Sequence, residues 1–262
     1  MSLDHRVRGS AIAVLSAIIS IAWGATAAAV DVTACGQTIG RREVGVLVAD
    51  LDCSAAPFGV RLLRHATLDL NGHSIAGGDS TIATVAGVGS SRAANPVGYG
   101  RGRFTVLGPG AITGTAHPPI NATGTRACLL VNDGVATIGM TGTVDISGCV
   151  FGIHGGRLFT RSGAPISSGP NGRGRVTLEH VSVADTGESG AAVMDLVATD
   201  VTVTGNRGIG LGAIRQMTAS NVTANQNDGI GLFGGRLLRG TDVVATDNAF
   251  NGVDTCGSAG SS

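Results

Sequence analysis

Four segments in the second half of the chain repeat one pattern at a nearly fixed interval. HVSVADTGESGA begins at His180, DVTVTGNRGI at Asp200, NVTANQNDGI at Asn221 and DVVATDNAFNGV at Asp242, so their first residues step by 20, 21 and 21. Each reads as a polar residue, Val, any residue, a small apolar residue, a polar turn, then Gly followed by an apolar or small residue. A fifth copy, TVDISGCVFGI, starts at Thr143, 37 residues before His180; the excess over one period is a loop of about 16 residues, visible as RSGAPISSGPNGRGR. The first half carries the same arithmetic, since LNGHSIAG from Leu70 and LGPGAITG from Leu107 are 37 apart around a glycine-rich stretch. A longer echo, GIHGGRLF from Gly152 and GLFGGRLL from Gly231, is 79 apart, close to four periods.

A period near 21 restricts the fold severely. Helical solenoids have longer repeats rich in Leu, Ala, Glu and Lys, whereas these copies are short Val-rich runs with Gly and Asn at the breaks. The nonapeptides of calcium-bound β-rolls are absent, as are four-strand propeller blades. One turn of a parallel β-helix fits: copies stack at ~4.8 Å, apolar residues enter a shared core and polar residues face out. Gly at 43 of 262 residues, without a collagen period, supplies the corners of such a fold.

All 18 basic residues are Arg, so lysine bases and Schiff-base chemistry are excluded. The N-terminus has the three parts of an export signal: Arg6 and Arg8, the apolar run Ala11 to Ala25, and the small-residue stretch ATAAAV. Cleavage is expected after Ala27 or Ala29; the alternative is a retained anchor, although the apolar run is shorter than the ~20 residues a span needs. The expected organisation is a signal peptide over 1–29, one repeat domain over 30–255 and a polar tail over 256–262, with a secreted or periplasmic product and no membrane span after cleavage. The single Trp, Trp23, lies in the leader, which leaves one Tyr and no strong sugar-stacking platform. Without the leader, 16 Arg face 17 acids, so no basic excess exists for a nucleic-acid backbone.

LDLNGHSIAG resembles the early-rung motif of secreted right-handed parallel β-helix proteins, and NRGIGL and NDGIGL resemble their later rungs. This pectate-lyase-like superfamily includes pectate lyases, polygalacturonases, alginate epimerases and periplasmic copper-processing proteins. The resemblance covers about residues 31 to 255 and implies an all-β, single-stranded right-handed parallel β-helix of roughly eight to ten rungs of about 21 residues. It implies no activity, because rungs look alike whatever the outer face does. On such a fold, cysteines about one rung apart come within bonding reach. Cys35 and Cys53 are 18 apart and Cys128 and Cys149 are 21 apart, which gives two disulfides or, alternatively, stacked buried thiols; Cys256 is left over.

Two groups of residues are candidates for chemistry. Thr143, His180, Asp200, Asn221 and Asp242 each precede an inward Val, so stacking would bring His180 to Asp200 as an acid-base pair, with Asn221 and Asp242 beside them as ligand contacts. The alternative is the ordinary polar position where a strand begins. Arg157, Arg161, Arg173 and Arg175, in and beside the long loop, would bind carboxylates of an acidic polysaccharide. Against catalysis, the chain has no adjacent acidic pair of the polygalacturonase kind and no Asp-Pro-His-Asp. His154 in GIHGG has Phe233 as its repeat counterpart, and His73 reads as a corner residue. The expectation is a non-catalytic protein that presents a sheet face to an extracellular glycan or surface partner, with no cofactor. The alternative is a polysaccharide lyase or epimerase, with calcium if a lyase, for which Asp185, Glu188, Asp195 and Asp200 are the nearest set of acids.

Overall fold

The computed structural model describes residues 29–56, 58–77, 83–87, 103–114, 127–131, 134–155 and 174–256. The export segment, the tail beyond Cys256, and Arg157, Arg161 and Arg173 lie outside the described residues. The described residues form nineteen strands and no helix, joined in one large parallel sheet. Among them, no helix is long and apolar enough to cross a membrane.

The sequence period is the pairing period. Strand Arg175–Ala184 pairs with Ala191–Thr204, which pairs with Leu211–Asn225, which pairs with Leu237–Thr246. Val181, Val201, Val222 and Val243 are successive Cα partners, so each copy lies beside the next without drift. Where loops intervene the step lengthens: Val144 pairs with Val181, and Ile75 with Ile112. His154 reaches Phe233 through Ala192 and Gly212, which is three pairing steps rather than nearly four periods, because residues 156–173 fall inside the first step.

Constant register sends alternate side chains to the same place in every copy. The inward column Ile75, Ile112, Ile146, Val183, Val203, Ala224 narrows toward the C-terminal copies, and all six are at most 1% exposed. Thr186, Asn206, Asn227 and Asn248 form a polar column at the corner that follows. Asn206 Nδ2 donates to Asn227 Oδ1 at 2.8 Å, and Asn227 Nδ2 donates to Asn248 Oδ1 at 2.8 Å. Each Oδ1 also accepts the backbone N–H of the preceding copy, as Asn227 does from Asn206 at 3.2 Å. Asn206 and Asn227 are 0% and 1% exposed, so this ladder satisfies corner groups that water cannot reach.

Both cysteine pairs are disulfides, Cys35–Cys53 and Cys128–Cys149, each with Cα atoms 5.5 Å apart. The second bridge is diagonal. Ala127 pairs with Phe151, so Cys149 stands at the corner before the strand that covers Cys128 rather than directly over it.

Replacing Asn227 by Ala leaves two buried donors of Asn206 without acceptors. The expected cost is about 2–4 kcal/mol in urea unfolding, roughly one to two for each donor. The exposed Asn221→Ala is expected to cost much less, and equal losses for the two variants would contradict a stabilising ladder.

Candidate functional site

The candidate column is first of all a backbone feature. His180, Asp200, Asn221 and Asp242 have φ of 57°, 54°, 51° and 53°, and each sits where the pairing skips one residue between two straight strand segments. Left-handed backbone is costly for most side chains, while Asn, Asp and His are enriched there. The residue types that looked like chemistry are therefore those the corner itself selects. Thr143 does not belong to the column in the same sense. Four residues, Met140 to Thr143, lie opposite His180 alone, and Met140 carries the positive φ of 65°.

The corner nonetheless builds a polar cluster. His180 Nδ1 lies 3.4 Å from Asp200 Oδ2, and Asn221 Nδ2 donates to Asp200 Oδ1 at 2.6 Å. Asp200 thus has one oxygen held by an amide and the other facing an imidazole, with both side chains about 40% open to solvent. An imidazole in this position can exchange a proton with a ligand laid along the corner.

The acids considered for a cation do not converge. Asp195 Oδ2 is bonded by Arg215 Nη2, Asp185 belongs to the next corner with φ 52°, and Asp200 is engaged as above. Among the described residues, no group of three His, Cys, Asp or Glu side chains could hold a metal ion. Arg175 is exposed at the leading end of its strand, directly beside Asp195 in the sheet.

The other histidines have local roles. His154 is 4% exposed, its ring centroid 4.8 Å from that of Phe151. His73 follows the Asn71-Gly72 corner, with Nδ1 3.5 Å from Asp50 Oδ1, the same oxygen that accepts the Ser74 N–H at 2.7 Å. That backbone bond is the main reason the Asp50 carboxyl is held below the usual aspartate value, with desolvation opposing and the His73 charge adding a smaller share.

One functional feature escapes a search for titratable residues. Thr67, Thr105, Thr137 and Thr177 are successive Cα partners on an outer face, and the column continues through Val197 to Thr218. At ~4.8 Å per strand, the row is roughly 24 Å long. Its sequence signal is a Thr directly before an inward apolar residue: Thr67-Leu68, Thr105-Val106, Thr137-Ile138, Thr177-Leu178 and Thr218-Ala219. No protein-family model, curated protein or solved structure matches this chain.

If His180 is there for its corner, His180→Asn is expected to leave stability within about 0.5 kcal/mol, whereas β-branched His180→Val costs about 1–2 kcal/mol. Thermal or urea unfolding of the two variants reads the difference, and an equal loss in both would point to the imidazole itself. For Asp50, a folded pKa below 3.8 means that the unfolded chain binds more protons near that value. The carboxylate's contribution is therefore present above pH 3.8 and lost as pH falls through the lower folded value. In unfolding curves over a pH series, the destabilisation caused by Asp50→Ala should shrink across that acid window and be constant near neutrality.

Proposed function

We propose that the chain is exported, folds as a right-handed parallel β-helix of about eight to ten turns, and uses one outer face to bind an extracellular or periplasmic glycan without transforming it. Constant pairing steps of 20 and 21 residues and the asparagine ladder support the helix. Two disulfides fit an oxidising compartment, and the apolar leader supplies a route to it.

The threonine column carries the binding reading. Hydroxyl groups held in a rigid row offer repeated donors and acceptors to the hydroxyls of a sugar chain lying along the stack. Aromatic platforms are not required, because affinity accumulates over many weak polar contacts to an extended ligand. A lyase or epimerase acting on acidic polysaccharide is the alternative, and its support is the His180–Asp200 approach of 3.4 Å. The left-handed corner gives His180 a reason to stand there without catalysis, so the binding reading needs fewer assumptions.

The test removes hydroxyls without changing shape, as the natural Val197 in the same column shows to be tolerated. Thr137→Val with Thr177→Val is expected to weaken retardation by a retained polysaccharide about tenfold in affinity electrophoresis, with the unfolding midpoint unchanged. The panel comprises neutral, uronate and sulfated polymers. Failure of all of them to retard the wild-type chain, or full binding by the double variant, would overturn the proposal.

A further inference from the structure

A chain of zero formal charge concentrates cations at one end of the threonine face. Arg41 and Arg42, Arg64 and His65, and Arg103 come from three stretches far apart in sequence, and all five are exposed. Backbone bonds stack them: Arg42 N–H donates to the Arg64 carbonyl at 3.3 Å, and His65 N–H donates to the Arg103 carbonyl. Three successive layers therefore place cationic side chains around one corner, at ~4.8 Å per layer. The nearby acids are turned elsewhere. Glu43 Oε2 accepts the Gly40 N–H at 2.7 Å, and Asp69 Oδ1 accepts the Asn71 N–H at 2.9 Å.

Two details indicate that this corner is more than solubilising charge. Arg42 and His65 both have φ of 64°, and Arg is a poor choice for left-handed backbone where Asn or Asp would relax it. Arg64 Nε donates to His65 Nε2 at 3.2 Å, which fixes the imidazole as a neutral acceptor on that nitrogen.

We propose that the corner formed by Arg41, Arg42, Arg64, His65 and Arg103 binds a tetrahedral oxyanion, the sulfate or phosphate ester of a glycan chain whose sugars lie on the adjoining threonine column. The polymer rests on the glycan-binding reading above; the oxyanion site rests on the arginines alone. A tetrahedral ester presents three oxygens, enough for guanidinium groups from three layers, where a carboxylate presents two. The corner also leads straight onto the hydroxyl row, since Thr67 follows His65 by two residues and Thr105 follows Arg103 by two. A lipid surface is disfavoured, because the exposed large apolar residues, such as Val48, Met140 and Phe250, belong to other stretches.

His65 couples the site to protons. Desolvation first, then the charges of Arg64, Arg42, Arg41 and Arg103, hold its pKa below the ordinary 6.5. A bound dianion reverses the charge around the ring, so binding takes up a proton and tightens as pH falls. A sulfate ester stays fully ionised over that range.

The experiment measures binding of dextran sulfate and of a phosphorylated mannan, against dextran, polygalacturonate and vesicles of anionic phospholipid, with inorganic phosphate and sulfate as competitors. Wild-type protein is expected to bind the ester-bearing polymers, more tightly at about pH 5.5 than at about pH 7.5 and less tightly as salt rises. Arg64→Gln with Arg103→Gln should weaken this binding about tenfold with the unfolding midpoint unchanged. His65→Asn, which suits the left-handed backbone, should retain binding but lose its pH dependence. The His65 ring, followed by NMR titration, should show a higher pKa with dextran sulfate present. A difference between the sulfated and phosphorylated arms identifies the ester and supports the site. Binding that is equal for dextran and dextran sulfate and unaffected by the arginine changes would overturn the oxyanion site while leaving the threonine-face reading intact. Adsorption to vesicles without binding to either ester-bearing glycan would overturn the glycan as the source. Loss of binding in Thr137→Val with Thr177→Val, but not in the arginine variant, would mean that the hydroxyl row acts without this corner.

Discussion

A carboxamide with no solvent exposure, as at Asn206, is tolerated only if the copies before and after it supply partners at fixed positions. That requirement fixes the offset between copies at 20 or 21 residues, and the rest of the molecule follows from the offset. A slip of one residue would turn inward valines outward and would separate every Asn from its acceptor. The ladder and the core are thus two expressions of one register. Neither stabilises much alone, because a single hydrogen bond contributes about 1 kcal/mol net. Their value is that they agree on the same alignment in each successive copy.

The parts of this arrangement that were legible in the sequence are those in which one residue type has one use. The Val before each turn, the Asn two to three residues after the small apolar position, and two cysteine pairs about one period apart all pointed to the observed pairing. The corners were harder. His180, Asp200, Asn221 and Asp242 are polar, and a polar column reads equally as a groove of reactive groups or as a turn that needs positive φ. Sequence spacing cannot separate these, since both put the residue immediately before an inward Val. The loop-containing steps misled in a different way. A separation of 79 residues resembles four periods, yet His154 and Phe233 are three pairings apart because a loop adds length without adding a strand. The threonine row was hidden by its ordinariness: Thr before a buried aliphatic residue is what any strand with one wet face contains.

Register also explains why disulfides sit where they do. Early in the chain and again in the middle, a strand-leading cysteine is tied to a cysteine at the corner before the neighbouring copy. Cys149 occupies the corner position that Thr186, Asn206, Asn227 and Asn248 hold in the later copies. A covalent link there does in one copy what the carboxamide ladder does in the others. The inward column changes in parallel, from Ile75, Ile112 and Ile146 through valines to Ala224, so the copies with the ladder bury smaller side chains. Corner hydrogen bonding therefore carries a larger share of cohesion toward the C-terminus, where the aliphatic contribution per copy is smaller.

The same corners decide where charge can go. Left-handed backbone at two positions per copy favours Asp and Asn, and Asp185, Asp200, Asp242 and Asp247 all occupy such positions. Acids are drawn to these corners for conformational reasons, whatever their electrostatic effect. With lysine absent, a chain of zero formal charge balances them with arginine elsewhere. The third edge, where each strand of the threonine face begins, takes Arg42, Arg64 and Arg103, then Arg175, which shares a column with Arg103 through Val135. Charge is thereby segregated without any net excess. Mixed signs on one edge would cancel within a Debye length of about 10 Å, whereas like charges stacked at ~4.8 Å along an edge produce a field that a linear polyanion can follow. Near Asp195 the edge changes sign locally, and Arg215 closes on that carboxylate, so the strongest uncompensated field lies at the N-terminal copies. There the left-handed positions are filled by Arg42 and His65 rather than by Asn or Asp, against the conformational preference that governs the other corners.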